Sequence, residues 1–263
     1  MGVMCRAVHN PTLREVALKI ISPRLINGGN HQAIHDAVEN FCKEVPRAIS
    51  CEGPGVVPLY DAGRIGTVPF IAYRYAEYGD LESYLQKNTI TPEVQRRVVE
   101  ESLMGLVTIH ESGFIHRDIK PANLMAGKKQ GNPWFSWGDF GSAIMIPTMS
   151  RDLVGTPAYT PQEIFLQQPW TQAADIYAFG LTMAYLFTRE SPYAGKDIHE
   201  IITAQSDGIH PFPLRTLENI QDPWRVMIDR CLRHDPTQRP TARELQRMMS
   251  HRRMTDRFAA IFK

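Results

Sequence analysis

The sequence lacks an apolar run approaching the roughly 18 to 20 residues that cross a bilayer, and its N-terminus lacks the apolar core of a signal peptide. The expectation is a cytoplasmic protein without a membrane span. It also lacks an excess of either charge, since 29 Lys and Arg stand against 28 Asp and Glu. No global field is then available to hold nucleic acid, and any partner must be recognised locally. Cysteine is sparse. Cys5, Cys42, Cys51 and Cys231 form no C-x-x-C pair and no regular framework, which predicts reduced, buried, inert thiols rather than a disulfide scaffold. There is no internal repeat and no low-complexity tract to suggest a solenoid or a linker. What remains is 263 residues, 43% of them hydrophobic, enough for one large core or two lobes.

The chain is organised around His116-Arg117-Asp118-Ile119-Lys120-Pro121-Ala122-Asn123. This stretch packs a carboxylate, cations and an amide into one turn that Pro121 stiffens by fixing its φ. Asp118 is a candidate acceptor for the proton of an attacking hydroxyl. Lys120 is suited to offset charge on a transferring phosphoryl group, and Asn123 offers an amide oxygen to a metal ion. A polar turn alone is usually just solvated, so the argument depends on what stands elsewhere.

Asp139-Phe140-Gly141 follows the turn, and Val16-Ala17-Leu18-Lys19 lies far upstream. With Gly155-Thr156-Pro157-Ala158-Tyr159, these motifs resemble the protein kinase family from about Gly2 to about Met249. The resemblance implies an α+β, bilobal fold, with a small antiparallel β-sheet lobe plus one helix and a larger, mostly α-helical lobe. It places a kinase domain at residues 1–250, the small lobe at about 1–76 and the large lobe at about 80–250. It implies a serine/threonine kinase that uses ATP and Mg2+ on a protein substrate with a Ser or Thr acceptor, and it leaves the oligomeric state open. Asp118, Lys120, Lys19 and Glu44 would carry the chemistry, with Glu44 preferred to Glu39 as the partner of Lys19. Asn123 and Asp139 would hold metal. Gly2, Met4, Ala17, Lys19, Tyr73, Tyr75, Ala76, Met125, Asn123 and Asp139 would line the nucleotide site, with the backbone of Arg74 to Ala76 facing adenine. Gly2 matches the third glycine of the family's phosphate loop. The first strand and first two glycines are not represented, which motivates an alternative, a kinase-like binding module with impaired catalysis. The resemblance also implies that Glu163 would pair with Arg239 and that Asp175 would steady the catalytic loop.

Local patterns supply the remaining elements. Arg14 to Ile21 alternates as a strand, and Val68 to Tyr75 reads as a buried one. His31 to Ser50 has helical spacing with Ile34, Val38, Phe41 and Val45 on one face, and Pro46 predicts a kink or an early end. His31 and His35 share an i,i+4 spacing but have no third ligand nearby. Asp80 caps a short helix, and Thr91-Pro92-Glu93 opens a long one that Gly113 stops. Asn27 to Asn30 and Asn132-Pro133 read as turns, and the segment before Asp139 as an irregular strand. Ile176, Phe179, Met183 and Leu186 form a core stripe. Asp222-Pro223 opens a helix, and Thr241 to Glu244 is a capping box. Residues 251–263 form a tail or final helix. Thr148 and Ser150 are candidate phosphate acceptors beside Arg117.

Overall fold

The computed structural model of the chain describes residues 2–10, 12–22, 31–66 and 68–250. The predicted turn at 27–30, the tail 251–263 and the side chain of His31 lie outside the described residues. The small lobe is a four-stranded antiparallel sheet in the order β1 (Gly2–His9), β2 (Arg14–Ile21), β4 (Val68–Arg74), β3 (Leu59–Ile65). β2 is central and pairs on both sides, so Lys19 stands opposite Met4 and Ile71, and Ala17 opposite Arg6 and Tyr73.

Helix α1 (His31–Ser50) crosses this sheet, with Phe41 and Ala48 buried and Val38 and Val45 packed against the core. The helix runs through Pro46 to Ser50, against the expected break. Pro46 removes the N–H that would serve the Cys42 carbonyl, and both residues are exposed. Water can solvate that carbonyl, which keeps the defect cheap.

Past the short β5 (Gly79–Asp80), the large lobe opens with α2 (Leu81–Lys87), capped by the Asp80 side chain on Ser83 N–H at 2.7 Å. Then comes α3 (Pro92–Glu111), whose cap Thr91 accepts from Val94 N–H at 3.3 Å. Gly113, at φ +81°, turns the chain out of α3 and into β6 (Phe114–Ile115). The hairpin β7 (Leu124–Lys129) and β8 (Asn132–Trp137) lies against α3. Its turn is Gln130-Gly131, both with positive φ, so Asn132-Pro133 begins a regular strand instead of a turn. Two consecutive positive φ values match the twist of a tight hairpin, and Gly131 accepts its own at little cost.

β9 (Ile144–Met145) pairs with β6, and a short α4 (Gln162–Phe165) follows. α5 (Gln172–Thr188) is buried around nearly its whole circumference, a broader burial than the expected stripe. α6 (Ile198–Ser206) packs against α4 and the turn at 157–159, while α7 (Leu214–Glu218) and α8 (Trp224–Cys231) pack against α5. A last helix over 242–250 is opened by the Thr241 and Glu244 capping box. Of the cysteines, Cys51 and Cys231 are buried and burial pushes each thiol up to about 12. Cys5 and Cys42 are exposed instead, because β1 and α1 turn those positions to solvent.

Candidate active site

The loop after β6 is held from beneath by a buried carboxylate. Asp175, on α5, accepts from the His116 N–H at 2.8 Å and the Arg117 N–H at 2.9 Å, and His110 Nε2 lies 3.0 Å away. These bonds hold Arg117 at φ +68°, a region a side chain seldom adopts. The geometry stays put because Asp175 is almost wholly enclosed. His116 Nε2 is 3.0 Å from the Gly138 carbonyl, which ties the loop to the segment before Asp139.

Asp118 then emerges into a cluster of donors. Lys120 Nζ is 2.8 Å from its Oδ2, and the Asn123 amide donates to the same oxygen at 2.8 Å and to the Asp118 carbonyl at 2.7 Å. Thr156 donates to Asp118 Oδ1 at 2.9 Å while accepting from Lys120 Nζ at 2.7 Å. Thr156 reaches this point because Gly155, at φ +92°, passes against the loop. A Cβ there would lie 2.4 Å from the Arg117 carbonyl oxygen.

Across the cleft, Lys19 Nζ lies 2.9 and 2.7 Å from the Glu44 oxygens and 2.8 Å from Asp139 Oδ1. Burial works against the Lys19 charge, but Glu44 and then Asp139 outweigh it and raise its pKa above the ordinary 10.5. For Asp139 burial works to raise the pKa. The Lys19 charge and hydrogen bond reverse this and hold it below the ordinary 3.8. Asp139 sits at φ +61°, and the following Phe140 is fully buried beside His116. Glu39, the runner-up to Glu44, is a surface residue paired with Lys43 at 3.4 Å.

The structure thus brings the sequence-predicted residues into two clusters, Lys19 with Glu44 and Asp139, and Asp118 with Lys120 and Asn123. Gly138 N–H donates to the Asn123 carbonyl at 3.0 Å and joins them. The nucleotide-lining candidates are arranged less tightly. Gly2 lies on β1, where a Cβ would be 3.2 Å from Lys19 Cγ, and Met4 is exposed on the same strand. Ala17 and Met125 are partly buried and packed on the core. Tyr75 lies under the Arg6 guanidinium at 5.2 Å. Arg74 N–H is committed to the Pro58 carbonyl at 2.9 Å, which removes it from the donors expected for adenine. The Ala76 carbonyl accepts from Gly79 N–H at 3.0 Å, while Ala76 N–H has no acceptor among the described residues.

Sequence reasoning missed three contacts. Tyr73 donates its hydroxyl to Glu44 Oε1 at 2.8 Å, and Arg47 donates to the Gly141 carbonyl at 2.6 Å. The third is the Thr156 bridge. Thr156 was marked by its motif and Tyr73 by its place in the nucleotide site, but the contacts themselves carry no local signal because the partners are distant in sequence.

The donor set suits a hard divalent cation. Asp139 is kept ionised and its side chain is half exposed, and both contacts of the Asn123 amide nitrogen are to Asp118, which leaves the amide oxygen for a ligand. Two oxygen ligands completed by phosphate oxygens are what magnesium commonly takes.

The protein kinase domain family model matches residues 1–251. Similar proteins include serine/threonine-protein kinase ATG1a of Arabidopsis thaliana, 29% identical over 250 residues, covering 92% of this chain and 38% of that protein. Serine/threonine-protein kinase PkaA of Streptomyces coelicolor is 29% identical over 237 residues, covering 88% and 42% respectively. Calcium/calmodulin-dependent protein kinase type II of Caenorhabditis elegans is 24% identical over 244 residues, covering 92% and 33%. The chain therefore spans less than half the length of each of these relatives. Among the described residues no helix is long and apolar enough to cross a membrane.

Proposed function

This chain belongs to the protein kinase family, and on that premise we propose that it transfers the γ-phosphoryl group of ATP to Ser or Thr hydroxyls of a protein substrate, with Mg2+ as the metal. Residues 1–250 form the catalytic domain in this reading, with the cleft between a small lobe at about 1–76 and a large lobe at about 80–250. The observation that carries it is the convergence on Asp118. One carboxylate meets a lysine, an amide and a threonine hydroxyl, and the hydroxyl lies between carboxylate and ammonium. An acceptor hydroxyl displacing that of Thr156 would find the same two groups.

The acceptor oxygen bonds to the γ-phosphorus as the bond from that phosphorus to the β-phosphate bridging oxygen breaks. Asp118 takes the hydroxyl proton, and ADP leaves with the electron pair. Lys120 stands beside Asp118 and offsets charge on the γ-phosphoryl oxygens. Lys19, fixed by Glu44, holds the α and β phosphates. Asp139 and the Asn123 amide oxygen would hold the metal, which would supply neutralisation of phosphate charge. Ala76 N–H, which has no acceptor among the described residues, would donate to the adenine edge. Catalysis of this kind is mainly positioning and electrostatic stabilisation, so a complete polar set favours transfer over a non-catalytic binding module.

The test is Mg2+-dependent transfer of labelled γ-phosphate from ATP to a generic basic protein and to the chain itself, with Asp118→Asn alongside. Labelled Ser or Thr in the wild type and a loss of roughly a thousand-fold or more in the variant are expected. Asp118→Asn retaining full transfer rejects the assignment.

A further inference from the structure

Glu44 is held from two sides. Lys19 approaches both carboxylate oxygens from β2, and Tyr73 donates its hydroxyl to Oε1 at 2.8 Å from β4. Tyr73 and Glu44 are both almost fully buried, at 5% and 2% exposure. Water therefore has little room to replace the phenol, and a carboxylate oxygen left short of a donor in such a place is costly. Tyr73 is anchored in turn, since it stands opposite Ala17 in the β2 register and opposite Leu59 in the β3 register. The hydroxyl thus projects from the interior of the sheet onto the helix that carries Glu44.

We propose that Tyr73 is a positioning residue, whose hydroxyl pins Glu44 and, through it, the Lys19 ammonium and helix α1 in the arrangement needed for phosphoryl transfer. The catalytic part of this inference rests on the kinase reading above; the pinning of α1 does not. Lys19 alone leaves the Glu44 carboxylate free to follow it, because a lysine has a long flexible stem. A phenol on a buried strand has two side-chain torsions and fixes one oxygen in space. Arg47, one turn further along α1, holds the Gly141 carbonyl at 2.6 Å, so the helix is also tied to the segment after Asp139. Tyr73 ties the same turn of the helix to β4, beside the more flexible tie of Lys19 on β2.

Tyr73→Phe keeps the ring and removes the hydroxyl, so it leaves the packing around the ring intact. Loss of a hydrogen bond to a buried charged group is expected to lower kcat by about ten-fold or more, with the KM for ATP within about two-fold of wild type. Hydrogen exchange should accelerate at amides of residues 31–50. In a Glu44→Gln background the further effect of Tyr73→Phe should largely vanish, because the pinned carboxylate is already gone. Wild-type kcat together with wild-type exchange in α1 overturns the proposal, as does a kcat loss that is fully additive with Glu44→Gln. If the wild type transfers no phosphate, the kinase reading fails by itself, and the exchange measurement still decides whether Tyr73 holds α1. Tyr73→Met provides the control for the ring. If it slows turnover as Tyr73→Phe does, without a further loss of melting temperature, the hydroxyl is responsible. If Tyr73→Phe is silent and Tyr73→Met is not, only the ring matters and the proposal falls.

Discussion

Gly55 and Gly105 touch backbone to backbone where the connection after α1 crosses helix α3. A Cβ on Gly105 would lie 2.1 Å from the Gly55 carbonyl oxygen, and one on Gly55 would lie 2.3 Å from the Gly105 nitrogen. The same Gly55 carbonyl accepts from Trp137 N–H at 2.8 Å, and Val57 N–H donates to the Trp137 carbonyl at 2.9 Å. This crossing holds the end of the small-lobe helix against the strand that leads to Asp139.

Gly105→Ala tests that contact by its sign. In an unencumbered helix interior, replacing Gly with Ala stabilises by about 1 kcal/mol. Here the methyl group meets backbone that cannot move aside, and overpacking should instead destabilise by roughly 1–3 kcal/mol. Thermal melting should show a drop of several degrees. A melting temperature equal to or above wild type rejects the tight crossing.

The Lys19 and Asp139 pair predicts how stability responds to acid. Asp139 has its folded pKa below the ordinary 3.8, so its contribution is fully present above that value and is lost as pH falls through the folded pKa. Lys19 has its folded pKa raised above 10.5, so its contribution is present below that value and is lost as pH rises through the folded pKa. Asp139→Asn should therefore flatten the acid limb of the urea midpoint measured below about pH 4, with little change of slope near neutrality. An unchanged acid limb in the variant sinks the assignment.

Much of this molecule is legible before folding, for physical reasons that differ from element to element. β2 and α1 end at the residues the pattern indicates, because a period of two over Arg14 to Ile21 and a helical period over His31 to Ser50 are local signals. Asp80 and Thr91 are readable as caps for the same reason. Pro46 misleads because a proline's cost depends on whether the orphaned carbonyl meets solvent, which sequence does not state. The β7–β8 turn misleads because Asn132-Pro133 has stronger turn chemistry than Gln130-Gly131, yet strand register puts the reversal at the latter. In the site, the residues within motifs are visible and the tertiary supports are not. Tyr73, Arg47 and the Gly55–Gly105 contact all depend on partners brought together by the fold.

The Glu163–Arg239 pair is buried, with Arg239 Nη2 at 3.0 Å from Glu163 Oε2 and Nη1 at 2.5 Å from Oε1. Arg239 also donates to the carbonyls of Arg233, His234 and Ala173. Arg239→Ala leaves Glu163 charged, buried and unpaired, at a cost of roughly 3–5 kcal/mol. Replacing both residues by Met should cost clearly less than Arg239→Ala alone, since no charge is then stranded. Chemical denaturation of the two variants checks this ordering. A double variant less stable than the single one would contradict it.

Ser150, rather than Thr148, is where a phosphate on the segment between Asp139 and Glu163 should act. Arg117 Nη1 is 3.0 Å from Ser150 Oγ, and Arg117 Nε donates to the Ser142 carbonyl at 2.6 Å, so the guanidinium already faces this serine. Thr148 is exposed. Burial lowers the Arg117 pKa from its ordinary value, with Asp152 and Asp175 opposing the shift only in part, so a more highly charged anionic partner stabilises the guanidinium further. Ser150 now donates to Asp152 at 3.1 Å, and a phosphate of charge about −1.5 to −2 would expel that carboxylate while pairing with the arginine. Phosphorylation at Ser150 should therefore order the segment around Asp118 and Thr156 and raise kcat several-fold, a gain that Arg117→Ala removes. Phosphopeptide mapping of fully active protein is the check. Full activity with Ser150 unmodified, or in Ser150→Ala, would show that the segment is ordered without it.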